Sequence, residues 1–195
     1  MWGTMIAQAA GIYTTYLLLF WLPSYLQDTK HLTIMKAGLY TAIPWAIAVP
    51  VSIILGIVSD RLLHRTSLLA GGRRVMVIVC VLLAAACALV PFTDNTTLII
   101  TLFAISLSGI NAAISLNVSL VTDLVHRGRD VGKAISLCIL SGNICGLLAP
   151  IITGYIVAGL GAYDWALWIT GILLFVGVIA LGTMTRAVIL PGAKA

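Results

Sequence analysis

Uncharged hydrogen-bonding side chains recur at helical spacing inside apolar stretches of this chain. Ser108, Asn111, Ser115 and Thr122 follow one another at intervals of three, four and seven residues, which sets them in one stripe along a helix. Such a stripe lines a pathway, or it serves as glue, because Ser, Thr and Asn also bond across packed helices for about 0.6 to 2 kcal/mol each. Asn117 and Ser119 lie in the same stretch, Gln8, Tyr13, Thr14, Thr15 and Tyr16 in the first, and Ser136, Ser141 and Asn143 in a later one. Tyr16, Asn111, Ser115 and Asn117 are candidate solute contacts, because amides and hydroxyls donate hydrogen bonds without the cost of a buried charge. Burying an amide without a partner costs roughly 2 to 7 kcal/mol, so these groups must face other helices or water.

The machinery of an enzyme is not legible here. His31, His64 and His126 fall at connections, and no GxSxG, HExxH or phosphate-binding loop occurs. Cys80 and Cys87, and likewise Cys138 and Cys145, are seven residues apart; they read as small apolar packing residues, and no CxxC or histidine-rich spacing calls for a metal or cofactor. The acid nearest an apolar stretch is Asp60, at a helix end among arginines, where an ion pair is the expected role.

The elements that carry these residues are long. In 195 residues, 61% are hydrophobic and 9% charged, too little polar surface for a soluble domain of this size. The apolar stretches run at about 2–27, 37–59, 75–92, 98–122, 134–158 and 165–185, with no charge deep inside any of them. Each can cross a hydrocarbon core of roughly 30 Å as a helix, and continuous runs of that length do not fit barrel strands. The expected fold class is therefore all-α: a polytopic membrane protein of six transmembrane helices over residues 1–186, with a short tail at 187–195, and the lipid bilayer as its solvent. The first stretch has no basic leader and is too long for a signal peptide, so it is expected to remain as a span. Lysines and arginines divide nine to two between the two sides: Arg61, Arg65, Arg73, Arg74, Arg127, Arg129, Lys133, Arg186 and Lys194 against Lys30 and Lys36. That bias predicts both termini in the cytoplasm. The net charge of +5 is thus a topology signal, and without a basic helix bearing interleaved aromatics nucleic acid is not an expected partner.

In the fifth stretch Gly142, Gly146, Pro150 and Gly154 repeat every four residues, a smooth face for close helix packing. Pro150 there, and Pro44 and Pro50 in the second stretch, are expected to bend their helices. Asn143 lies beside the glycine face, on a helix that reads as a moving part touching a solute or simply as a packing element.

The connection Gly56-Ile57-Val58-Ser59-Asp60-Arg61-Leu62-Leu63-His64-Arg65, followed by Gly72-Arg73-Arg74, resembles the loop motif of the major facilitator superfamily, here at the place where that superfamily repeats it in its C-terminal half. An acid at a helix end can dock on a neighbouring helix N-terminus while arginines pair with it; the plainer reading is a basic anchoring loop. Trp2-Gly3 with Gln8, Trp21-Leu22-Pro23-Ser24-Tyr25-Leu26, Lys36-Ala37-Gly38 and Gly142-Asn143-Ile144-Cys145-Gly146 with Pro150 and Gly154 narrow the resemblance to the anion:cation symporter family. It implies a 3+3 inverted repeat, Gln8 and Asn143 as ligands of substrate oxygens, and proton-coupled symport of a small organic anion, a sugar acid or aromatic carboxylate, across the cell membrane. It also implies that this chain is a C-terminal half whose N-terminal six-helix half, with the charged proton-coupling groups, is missing. A half-size transporter that pairs with a second copy, and an inactive fragment or partner subunit, remain the alternatives.

Overall fold

The computed structural model describes residues 1–65, 71–125, 128–161 and 163–185. Six helices follow in order: α1 (Trp2–Lys30), α2 (Ile34–Arg65), α3 (Gly72–Ala84), α4 (Thr96–Leu124), α5 (Gly128–Leu160) and α6 (Asp164–Met184), with α3 prolonged by a 3₁₀ segment, Ala85–Phe92. All six spans, the third including its 3₁₀ segment, are long and apolar enough to cross a membrane. The helices overrun the apolar stretches, most clearly in α2 and α5, because hydropathy marks only the part in hydrocarbon while the backbone ladder continues into the charged ends. The 3₁₀ end of the third span has no signature in hydropathy. Local chemistry sets the boundaries: Asn95 caps α4, its Oδ1 accepting from the backbone N–H of Thr97 at 3.0 Å, and His31 ends α1 in the left-handed conformation (φ 51°). α2 continues through Pro44 and Pro50, and α5 through Pro150.

α1 and α4 form the centre. α1 packs against α5, α6 and α4, while α4 packs against α2, α3 and α1; α3 and α6 meet each other behind them. Exchanging α1, α2, α3 for α4, α5, α6 leaves this pattern of partners unchanged. Each helix lies three places along the chain from its counterpart, with two spans between, so equivalent helices run in opposite directions, and the bundle is a 3+3 inverted repeat. The start of α1 and the end of α6 share one end of the bundle, where Gly3 lies against Ala180 and Thr185.

Small residues permit the close central contacts. A Cβ on Gly109 would sit 2.6 Å from the Cys80 carbonyl oxygen and 2.7 Å from the Ala84 nitrogen, so α4 and α3 touch backbone to backbone, and Ser106 Oγ donates to the Ala84 carbonyl at 2.6 Å. On α5 the buried residues Ala134, Cys138, Gly142, Gly146, Ala149 and Thr153 make one narrow stripe, and α1 lies along it with Ile12 over Gly142 and Gly146, Tyr16 over Gly146 and Trp21 over Gly154. The remaining faces of α2 and α5 expose isoleucine, leucine and valine, which costs nothing in lipid. Gly109→Ala should destabilise the bundle by about 1 to 3 kcal/mol, since rigid backbone must move. Gly142→Ala meets side chains alone, the tip of Ile12 at 2.5 Å and Gln8 Cγ at 3.2 Å, and should cost less; unfolding in detergent micelles measures both.

Candidate functional site

The amides predicted from sequence separate into two groups. Gln8 and Asn117, each 2% exposed, lie inside the bundle. Asn117 Nδ2 donates to Gln8 Oε1 at 2.8 Å and to the Thr4 carbonyl at 2.9 Å, with Cys138 Sγ at 3.7 Å. One side chain of α4 thereby ties α1 to α5, and Ser141 Oγ adds a longer contact to the Met5 carbonyl at 3.4 Å. In this conformation both amides are buried between α1, α4 and α5 and bond across helices.

Tyr16 and Asn143 behave differently. They meet across α1 and α5 on an exposed face, Tyr16 Oη donating to Asn143 Oδ1 at 3.4 Å. Asn143 Nδ2 donates to the Ile139 carbonyl of its own helix at 2.9 Å, which fixes the amide's orientation and leaves a weak, replaceable bond to the tyrosine. Ser115 is exposed and Asn111 half-buried on α4, and neither side chain has a hydrogen-bond partner among the described residues. Ser108 is turned away: its hydroxyl donates back to the Ala104 carbonyl at 2.7 Å, and it borders an apolar groove of about 700 Å³ between α2, α4 and Leu83 of α3.

The loop-motif residues assemble at the end of the bundle that carries the α2–α3 connection. Arg73 Nη2 donates to Asp60 Oδ1 at 3.1 Å, and its Nε lies 3.2 Å from Asp123 Oδ2. A single guanidinium at the start of α3 thus holds the ends of α2 and α4. Asp123 was not anticipated; an acid closing α4 near two arginine-bearing helix ends was the signal that could have found it. Arg74 Nη1 reaches the Thr185 carbonyl at 3.4 Å, Arg61 is exposed, and Gly56 has open space around its Cα. The side chains of Arg65 and Arg129, together with Arg127, Arg186, Lys194 and the tail, lie outside the described residues.

The opposite end carries the repeat-related tie. Asp28, closing α1, accepts from Tyr163 Oη at 2.6 Å just before α6, as Asp123, closing α4, pairs with Arg73 at the start of α3. Burial, and then the bond to Asp28, push the Tyr163 phenol up to about 12, so it remains a donor at physiological pH. Lys30 Nζ donates to Asp94 Oδ1 at 2.9 Å; that hydrogen bond, and then the lysine charge, hold the Asp94 carboxyl below its ordinary value. The pair is therefore kept at neutral pH and lost as the pH falls through the depressed Asp94 value. Among the described residues no three His, Cys, Asp or Glu side chains cluster as a metal site.

A family model described as Major Facilitator Superfamily matches residues 69–192. The chain is 30% identical over 97% of its length to the Probable galactarate/D-glucarate transporter GudP of Bacillus subtilis, and covers 40% of that protein. It is 30% identical over 87% of its length to the Probable galactarate/D-glucarate transporter GarP of Escherichia coli K12, covering 36% of it. A D-galactonate transporter of Escherichia coli O6:H1 is 30% identical over 88% of the chain, which covers 40% of that relative. The chain thus spans about two fifths of the length of the curated relatives it matches.

Removing the Asn117 amide strands buried partners, whereas Ser115 has none to strand. Asn117→Leu should therefore destabilise the bundle by about 1 to 3 kcal/mol. Ser115→Ala should stay within about 0.5 kcal/mol of the parent, both read from thermal melting of the purified protein.

Proposed function

Because the chain belongs to the major facilitator superfamily, we propose that it acts as the C-terminal six-helix half of a symporter that carries a small organic anion of the sugar-acid class across the cell membrane. The sugar-acid transporters among its relatives support that class of cargo. The observation that carries the reading is the Tyr16–Asn143 pair: a half-buried phenol and an exposed amide on adjacent helices, joined by a bond of 3.4 Å that a solute hydroxyl can replace.

A sugar acid presents two chemistries, a row of hydroxyls and a carboxylate. The spans of this chain offer hydroxyls and amides but no deep charge, which suits the polyol part of the cargo. The carboxylate and a coupled proton call for charged side chains in the membrane interior, and these fall to the other six-helix half. Asn111 and Ser115 are secondary contacts in this reading, while Gln8 and Asn117 hold α1, α4 and α5 in register behind the contact surface. Solute would sit between the two halves near the midplane, and the halves would rock about it. The basic bias supports a cytoplasmic position for the Arg73 end and both described chain ends, where the ties from Arg73 to Asp60 and Asp123 would brace this half as it moves.

Uptake of labelled D-glucarate into proteoliposomes containing this chain with its N-terminal half tests the reading. Asn143→Ala should raise KM about tenfold, the loss of roughly 1.4 kcal/mol, with membrane insertion and melting unchanged. An unaltered KM would remove Asn143 from the site. Alone, this chain should give no uptake with or without a pH gradient; uptake by the chain alone would favour a homodimer.

A further inference from the structure

Gly146 lies one turn along α5 from Asn143, so the two share a face of that helix. Facing them, Tyr16 and Phe20 are one turn apart on α1. The Tyr16 ring bridges the turn of α5. Its hydroxyl donates to Asn143 Oδ1, while its Cδ2 and Cε2 lie over the buried Gly146, 2.8 and 3.0 Å from where a Cβ would stand. Carbon atoms in ordinary contact are about 3.5 to 4.0 Å apart, so even an alanine methyl would displace the ring. Phe20, itself exposed, meets that ring edge to face, with centroids 6.1 Å apart.

We infer that Gly146 is a positioning residue for solute binding: its missing side chain is the seat of the Tyr16 phenol, and Phe20 steadies the ring on that seat. The inference rests on the reading of the Tyr16–Asn143 pair as a solute contact. Two features make the seat decisive. The amide cannot follow a displaced phenol, because Asn143 Nδ2 is held by the Ile139 carbonyl at 2.9 Å. The bond has no slack either, since 3.4 Å already exceeds the usual span of about 2.5 to 3.0 Å for a hydroxyl donor to oxygen. A methyl that pushes the ring off α5 therefore parts the pair. Gly142, one turn nearer the helix start, bears on Ile12 and Gln8 instead, so neighbouring glycines of one stripe divide packing from positioning. Ile12 Cγ2 also stands 2.8 Å from a Cβ on Gly146, and a substitution there crowds the two helices as well as the ring.

Uptake of D-glucarate by the complex of both halves in proteoliposomes separates those effects. Gly146→Ala should raise KM about fivefold, with kcat within about twofold of the parent. In a Tyr16→Phe background, which has no phenol hydroxyl to misplace, the same substitution should change KM by less than about twofold. Crowding of the helices alone would act alike in both backgrounds, and equal effects overturn the inference. Because Phe20 is exposed, Phe20→Leu should fold even where Gly146→Ala does not. It should raise KM about threefold, again only where the Tyr16 hydroxyl is present; the same rise in the Tyr16→Phe background would make Phe20 a direct solute contact and overturn its steadying role. Asn143→Ala tells the two readings apart. A raised KM there beside an unaltered KM in Gly146→Ala overturns the positioning role alone, whereas an unaltered KM in Asn143→Ala overturns the solute contact beneath it.

Discussion

Hydrocarbon supplies no hydrogen-bond partner, and the placement of polar side chains in this bundle follows from that single constraint. Backbone groups are satisfied within helices. Thr14, Thr41, Thr170 and Ser108 turn their hydroxyls onto carbonyls of their own helix. The amides, which have more donors than one backbone can absorb, must find each other across helices or open onto water. Asn117 is buried and bonded to Gln8 across helices, whereas Asn143 is exposed, bonded to its own helix and more weakly to Tyr16.

Charge obeys the same rule at the ends. Each ion pair among the described residues lies at a helix terminus or in the first turns. The Arg73–Asp123 and Tyr163–Asp28 ties are equivalent under exchange of the two three-helix repeats. In both, the end of a central helix is fastened to the start of a peripheral helix from the other repeat. They differ chemically: one is an ion pair, the other a neutral phenol on a carboxylate. Two ends of one architecture, in contact with different solutions, can therefore be fastened with different sensitivity to charge.

Close packing supplies what polar bonds cannot. Lipid tails are as apolar as leucine, so burial of leucine alone does not hold one helix to another. Gly109 against Cys80 and Ala84, and the Gly142 and Gly146 face under Ile12, bring backbones near enough for dispersion to act over whole helix lengths. α2 and α5, bound through narrow stripes of small residues, are the least enclosed of the six.

The linear order of residues determined six helices, because a run of about 20 apolar residues has no other low-energy state in a bilayer. It also determined the polar stripe of α4, the smooth face of α5 and the cluster of charge around Asp60, since spacing sets which side chains share a face. It did not determine which way each face turns. Asn117 and Asn143 have the same side chain in equally apolar surroundings, yet one is bonded to Gln8 in the core and the other is open beside Tyr16. Nothing in spacing distinguishes them, because periodicity gives phase about one helix axis and says nothing of rotation against a neighbour. The partner of Asp123 depends on packing in the same way, since the pair with Arg73 forms only when the start of α3 meets the end of α4. Tertiary packing decided those rotations: the glycines let particular backbones approach, and once α1 lay along α5 and α4 along α3, each polar group was left with a partner, a path to water or neither.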